Sequence, residues 1–326
     1  MIETSLKDKV FAVQISVLRT AYAIVDIRGD ILAMEEFPTQ DFPNINDFVS
    51  RLCERMVEMM LANDMFGSIR SVGVSAPSSN SMTGCIENAV NLPWKGVIPI
   101  GAMIRDRLGL AVAVGNKPHI RALAESEFGA AHGLKDFVLI TLGHGFGSFI
   151  YSSNQPYQGT DGFGGEVGHN TCDINGRICG CGKKGCLEAY VAERGILLTA
   201  KEVLEESSEP SLMRGFENLK PKNITEFCEQ GDALSIEVMR RTGVWLGWGL
   251  ANFATVMDPE AFVLTGGITH AGKWLFEPAE ETFDKYVFHN IKGKVRFVMG
   301  AIDASVCDLL GASVLAWDVK EYSLFK

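Results

Sequence analysis

Between residues 165 and 188 the chain reads GEVGHNTCDINGRICGCGKKGCLE, which gathers soft metal ligands and flanking carboxylates in one segment. His169 precedes Cys179 by nine intervening residues, Gly180 alone separates Cys179 from Cys181, and four residues lie between Cys181 and Cys186. A Cys3His set of this kind takes zinc in a tetrahedral shell. Gly180, Gly182 and Gly185 fall between the sulfurs, where a chain wrapping a metal needs turns that side-chained residues resist. Four protein ligands leave no open position for a hydrolytic water, so the expected ion is structural. The alternative is disulfides or buried free thiols. Against it, Cys179 and Cys181 are too close in the chain to pair easily, and no disulfide is expected in a cytosolic protein.

With their neighbours these residues resemble the zinc signature of the repressor, open-reading-frame and kinase (ROK) family of sugar kinases and sugar-responsive repressors. That signature is E-x-G-H followed by C-x-C-G-x-x-G-C-L-E. Glu166, Gly168, His169, Cys179, Cys181, Gly182, Gly185, Cys186, Leu187 and Glu188 fill every position. The likeness continues through Asn91-Leu92-Pro93-Trp94, Thr141-Leu142-Gly143, Asp258-Pro259 and Val263-Leu264-Thr265-Gly266-Gly267. The resemblance implies a two-lobed, actin-like and ribonuclease-H-like ATPase fold with a central cleft. Residues 1–118 and 305–326 would form the N-terminal lobe, and residues 119–304 the C-terminal lobe with the zinc motif. It also implies a sugar pocket. A hexose presents hydroxyls that both donate and accept, and the amides, carboxylates and imidazole that would meet them belong to Asn91, Asn116, Glu166, His169 and Glu188. Ser78 and Ser79, in Ala76-Pro77-Ser78-Ser79-Asn80, replace the glycine-rich core of the family's loop over the sugar. Gly143, His144, Gly145, Gly266 and Gly267 fall at its nucleotide-binding turns.

Two motifs depart from the family where phosphate is transferred. Active members carry D-I-G-G-T after the first strand, an acid and glycine N–H groups around the phosphate. In the same register, anchored by Ile24-Val25-Asp26, this chain reads Gln14-Ile15-Ser16-Val17-Leu18. Gln14 has no charge to organise magnesium, and Val17 and Leu18 place side chains where backbone must approach phosphate. The family's base motif, E-N-D-x-N, reads Gly115-Asn116-Lys117-Pro118-His119 here. Lys117 replaces the catalytic aspartate, and no aspartate lies between Asp106 and Asp136 to recover it by realignment. A lysine serves as base only if its pKa falls far below about 10.4, which nearby carboxylates, expected to be Glu166 and Glu188, oppose. His119, two residues along, is the remaining candidate base. The Lys117 ammonium would either receive an anion such as a sugar phosphate or sugar acid, or ion-pair with Glu166 or Glu188. His144 stands where the kinases usually have threonine.

The elements that must hold these residues alternate between strand and helix. Val10–Ile15, Thr20–Asp26 and Ile31-Leu32-Ala33 read as a meander, Phe48–Met60 as a helix, and Ser71–Ser75 and Ala111–Val114 as strands. Phe137–Leu142 and Ser148–Tyr151 repeat the opening hairpin in outline, and helical stretches follow near 236–256 and 304–318. The pattern is α/β. At 326 residues, with 47% hydrophobic and 21% charged, the chain can bury cores for two domains. The polar start MIETSLKDK and the absence of a long apolar run place it in the cytoplasm. Cys53, Cys85, Cys172, Cys228 and Cys307 are scattered among apolar neighbours and read as reduced thiols. A net charge of −10 and the lack of room before the first strand for a helix-turn-helix argue against direct nucleic-acid binding.

The expected protein therefore binds a hexose, an N-acetylhexosamine or a sugar phosphate, carries structural zinc, and acts in regulation or sensing with degraded phosphotransfer residues. ATP and magnesium enter only if kinase activity survives. The alternatives are an active ATP-dependent glucokinase or N-acetylhexosamine kinase, and a non-catalytic partner of an active family member. No membrane partner is expected, and the family resemblance implies a homodimer or homotetramer.

Overall fold

In the computed structural model, which describes residues 7–319, the chain opens with the meander β1 (Lys9–Ile15), β2 (Arg19–Asp26) and β3 (Ile31–Pro38). β1 and β2 are buried on both faces, as strands with helices on either side must be, whereas β3 is the half-exposed edge. α1 (Ile45–Ala62) starts at Asn44, whose side chain accepts from the Asn46 N–H, and buries Phe48, Leu52, Met56 and Met59 at helical spacing. β4 (Ile69–Ser75) follows, then a small sheet of β5 (Ser79–Asn80), β6 (Cys85–Glu87) and β7 (Val97–Ile98). α2 (Ile100–Leu108), β8 (Ala111–Gly115) and α3 (Lys117–Phe128) complete this half. β4 and β8 run parallel to β1, giving the order β3-β2-β1-β4-β8.

The second half repeats the plan. β9 (Phe137–Leu142), β10 (Phe146–Ser152) and β11 (Gln155–Tyr157) form an antiparallel meander. α4 (Glu188–Val191), α5 (Glu193–Glu206), α6 (Pro221–Glu229) and α7 (Ala233–Met257) precede β12 (Ala261–Thr265). After α8 (Lys273–Tyr286) and β13 (Arg296–Met299) the chain ends its described course in α9 (Cys307–Trp317). β12 and β13 are parallel to β9, so the order is β11-β10-β9-β12-β13, the same topology as the first sheet. The duplication expected from two similar hairpins extends to the parallel strands. Among the described residues no helix is long and apolar enough to cross a membrane.

The chain divides into two compact units. One comprises the residues through His132, Gly159–Phe163 and those from Ala301 onward; the other comprises Gly133–Gln158 and Gly164–Gly300. The expected boundary at 118/119 would cut α3, and it is corrected to 132/133. α3 belongs with the first unit because it packs on α9 so closely that a Cβ on Gly311 would lie 1.9 Å from the Ile120 carbonyl oxygen. For the same reason the return falls at 300/301 rather than 304/305. Glu125, buried on α3, fastens the segments beside both crossings: its carboxylate accepts from the N–H groups of Ala130, Ala301 and Ile302 at 2.8, 3.1 and 3.2 Å. A Cβ on Gly129 would sit on this carboxylate.

Charge-assisted bonds of this kind contribute more than neutral ones. Glu125→Gln, which puts an amide N–H2 among three backbone donors, should therefore lower unfolding free energy by about 2–4 kcal/mol in urea denaturation; a change within about 0.5 kcal/mol, the ordinary surface range, would show that the clamp is dispensable.

Candidate functional site

The loop between β11 and α4 folds around the four ligands expected from sequence. The ligand atoms of His169, Cys179, Cys181 and Cys186 all lie within 4.8 Å of one another, so the group could hold a metal ion. Cys181 Sγ is 3.7 Å from Cys186 Sγ, and Cys179 Sγ is 3.7 Å from His169 Nδ1. These are not disulfide separations, since bonded sulfurs stand about 2.05 Å apart. A tetrahedron with metal–sulfur bonds of about 2.3 Å has edges near 3.8 Å, which the sulfur pair matches. Two tight backbone features shape the loop. Cys179 N–H bonds the Lys183 carbonyl at 2.8 Å, and Gly182, at φ +88°, turns the chain between them. Gly185, at φ +72°, lies where a Cβ would fall 1.6 Å from the Asp173 carbonyl oxygen, so only glycine fits. Burial pushes the Cys179 thiol up to about 12, whereas the Lys183 backbone N–H leads the interactions holding exposed Cys181 below the ordinary thiol value. Metal binding would displace the protons. Cys53, Cys85, Cys172, Cys228 and Cys307 are all free thiols.

Glu166 and Glu188 flank this loop in the second unit. One oxygen of Glu188 accepts from the Phe146 N–H at 2.9 Å and the other from the Cys179 thiol at 3.3 Å, so this carboxylate joins the glycine turn before β10 to the cysteine loop. Glu166 retains solvent contact, yet the protein packed around its carboxyl raises its pKa; His169 opposes the shift and Glu188 adds to it. In the first unit, Ser78 stands at φ +54°, a left-handed conformation that costs a side-chained residue roughly 1–2 kcal/mol. Ser79 Oγ bonds the Ala76 carbonyl, and Asn80 reaches the Asp161 carbonyl. Thus the serine-substituted loop keeps a glycine-like turn. Asn91 is exposed at a bend anchored by buried Leu92 and Trp94. Asn116 caps α3, its side-chain oxygen accepting from the His119 N–H at 3.1 Å.

Beside Gln14 and Lys117 the structure supplies a residue that sequence reasoning missed. Lys117 Nζ lies 3.9 Å from Asp308 Oδ2. The expected partners Glu166 and Glu188 are corrected to Asp308, which belongs to the same unit as Lys117. Gln14 Nε2 donates to Asp308 Oδ2 at 2.9 Å, and Arg121 Nε donates to Oδ1 at 2.8 Å. The signal was a lone carboxylate in the otherwise apolar Cys307–Trp317, which must find a counter-ion when buried. The Ser16–Arg19 turn closes on itself: Ser16 N–H bonds the Arg19 carbonyl at 3.0 Å, and Leu18 is exposed. No residue of that turn has positive φ.

The second unit also holds a cavity of about 700 Å³ lined by Gly143, His144, Gly267, His270, Lys220 and Glu193, among others. His144 Nδ1 is 3.1 Å from Glu193 Oε2. Gly266 stands at φ +96°, where a Cβ would lie 2.2 Å from the Leu142 carbonyl oxygen, and this closeness brings the ends of β9 and β12 together. Of the five turn residues expected from resemblance, Gly143, His144 and Gly267 line this cavity, and Gly145 and Gly266 are their chain neighbours. Lys220 and His270 were not anticipated, because they come from the N-cap of α6 and the turn after β12, which no local motif links.

Among known proteins, the sequence matches the ROK family over residues 10–319. A glucokinase of Halalkalibacterium halodurans is 33% identical over 292 residues, spanning 87% of this chain and 88% of the relative. A xylose repressor of Caldicellulosiruptor bescii is 26% identical over 255 residues, spanning 74% of this chain and 64% of the relative. The solved ROK family glucokinase from Streptomyces griseus, in complex with glucose and AMPPNP, has a TM-score of 0.74 at 27% identity, across 95% of this chain and 100% of that one. The fold is the actin-like α/β ATPase fold of these sugar kinases.

His119 bears on whether this first-unit site has a substitute base. Burial alone pulls its pKa down to about 4. Between about pH 6.5 and pH 4 the unfolded chain therefore binds a proton that the native chain refuses, and stability falls with pH across that window. The loss should approach about 3 kcal/mol by pH 4 and shrink in His119→Gln. Equal slopes for both proteins in urea titrations from pH 7 to 4.5 would remove His119 as the cause.

Proposed function

The chain belongs to the ROK family, and on that premise we propose that it binds a hexose or N-acetylhexosamine as a sensing or regulatory protein and transfers phosphate slowly or not at all. The observation that carries this reading is Lys117. At the position of the family's catalytic aspartate stands an ammonium 3.9 Å from a buried carboxylate. A lysine ammonium has donors only and no lone pair to accept the proton of a sugar hydroxyl. The first phosphate turn adds a second obstacle. Its Ser16 and Arg19 N–H groups are held within the turn, by the Arg19 carbonyl and the Ser16 hydroxyl, and Gln14 is engaged by Asp308. The family resemblance assigns sugar recognition to Ser78, Ser79, Asn91 and Asn116 of the first unit and to Glu166, His169 and Glu188 of the second. Each can donate to or accept from a hydroxyl.

His169, Cys179, Cys181 and Cys186 would hold a structural zinc, which when bound supplies no open coordination position and fixes the loop that carries Glu166 and Glu188. The 700 Å³ cavity around Gly143 and Gly267 favours a second reading, an ATP-dependent glucokinase or N-acetylhexosamine kinase, and the glucokinase relatives support it. In the leading reading the same cavity takes a nucleotide without productive transfer. Homodimers or homotetramers and a lack of direct nucleic-acid binding belong to this proposal too.

Protein purified without added metal should contain about one zinc per chain, and Cys181→Ser should lose both the metal and several degrees of thermal stability. Metal-free protein of unchanged stability would sink the zinc assignment. In a coupled assay over glucose, mannose, allose, fructose and N-acetylhexosamines, turnover should fall at least about 10²–10⁴-fold below that of an active kinase, the usual effect of a missing general base. A rate of roughly 1–100 s⁻¹ on any of these sugars would establish the second reading instead.

A further inference from the structure

Asp308 is the meeting point of two cations and an amide. Its carboxylate is 1% exposed in the first turn of α9, with Arg121 and Gln14 donating to separate oxygens and Lys117 close to the second. The placement follows from how α9 lies on β4. Ser71, Gly73 and Ser75 share one face of that strand. Ser71 Oγ bonds the Ala316 carbonyl at 2.7 Å, and a Cβ on Gly73 would lie 1.8 Å from the Ala312 carbonyl oxygen. One turn further along α9 is Asp308, and the next residue on that face of β4 is Ser75. The Ser75 hydroxyl is buried and has no hydrogen-bond partner among the described residues. Ser75 also pairs with Gln14 in the β1–β4 ladder. A guanidinium, an ammonium, an amide N–H2 and a spare hydroxyl, at the N-terminal end of α3, form the donor set that proteins use to bind an oxyanion. In this chain the anion is part of the protein.

We propose that Asp308 is a specificity-determining residue: its carboxylate occupies, from within, an oxyanion site formed by Arg121, Lys117, Gln14 and Ser75, and so keeps phosphate groups off this end of the first sheet. The ligand excluded is a phosphate group, whether inorganic, on a sugar or on a nucleotide. Asp308 cancels one of the two positive charges, and a second anion would have to stand beside its carboxylate. This inference rests on the reading that phosphotransfer is impaired and supplies its cause.

The test is phosphate-dependent stability, at constant ionic strength with chloride as the reference, for wild type, Lys117→Met, Asp308→Asn and Asp308→Asn/Lys117→Met. Wild type and Lys117→Met should be indifferent to inorganic phosphate and to a hexose 6-phosphate. Asp308→Asn should be less stable in chloride and recover with millimolar phosphate, and adding Lys117→Met should weaken that phosphate affinity by about tenfold or more. The hexose 6-phosphate arm separates sources: tighter binding than inorganic phosphate would place the sugar site beside the vacated position, and equal binding would mean that the phosphate group alone is read. If Asp308→Asn misfolds, refolding from urea with and without phosphate replaces the melting curve, and failure of phosphate to rescue it overturns the proposal. So does a folded Asp308→Asn that ignores phosphate, or a wild type that phosphate stabilises through Lys117. Sugar turnover by the wild type would sink the proposed function, yet would leave these stability outcomes to be read on their own.

Discussion

The first unit depends on how closely α9 approaches its neighbours. Two glycines permit it: Gly73 in β4, against the Ala312 carbonyl, and Gly311 in α9, against the Ile120 carbonyl. A methyl group at either position would meet backbone rather than a movable side chain, so the helix would have to lift from the sheet or from α3. The small residues of Val10, Ala12, Ala21 and Ala23 in the strands, and Ala312 and Ala316 in the helix, complete the same thin layer. Because α9 lies so near, its first turn carries Asp308 to groups from two other elements, β1 and α3.

A buried ion cluster is not a stabilising device in itself, since desolvation offsets much of the attraction. Here β1 contributes Gln14, α3 contributes Lys117 and Arg121, and the Asp308 carboxylate of α9 meets all three. These groups support one another: Lys117 and Arg121 would repel without Asp308, and Asp308 would be costly to bury without them.

The second unit shows the opposite balance. Its glycines permit close backbone approaches, with Gly185 against the Asp173 carbonyl and Gly266 against the Leu142 carbonyl. Glu188 connects the glycine turn before β10 to the cysteine loop through the Phe146 N–H and the Cys179 thiol. The loop of histidine and cysteines, the glycine turn and the cavity therefore lie together in one unit, while Gln14, Lys117 and Asp308 lie in the other.

Much of this was legible without coordinates. The ligands His169, Cys179, Cys181 and Cys186 lie within eighteen residues of one another, so local turns alone bring them together, and glycine spacing announces the turns. The repeated hairpins were visible because apolar alternation has a short period. Gln14 and Lys117 stood out because, by resemblance, each falls at an aspartate of a short motif. What the sequence could not disclose was the company these residues keep. Asp308 stands 294 positions from Gln14 and 187 from Arg121, and Glu125 reaches Ala301 across 176. A carboxylate has no directional signature along the chain; its partner is whichever donors the packing of α9 on β4 and α3 brings within reach. The unit boundaries were displaced for the same reason, since a helix joins the unit whose backbone it can approach most closely, and that is decided by the glycines at the contact.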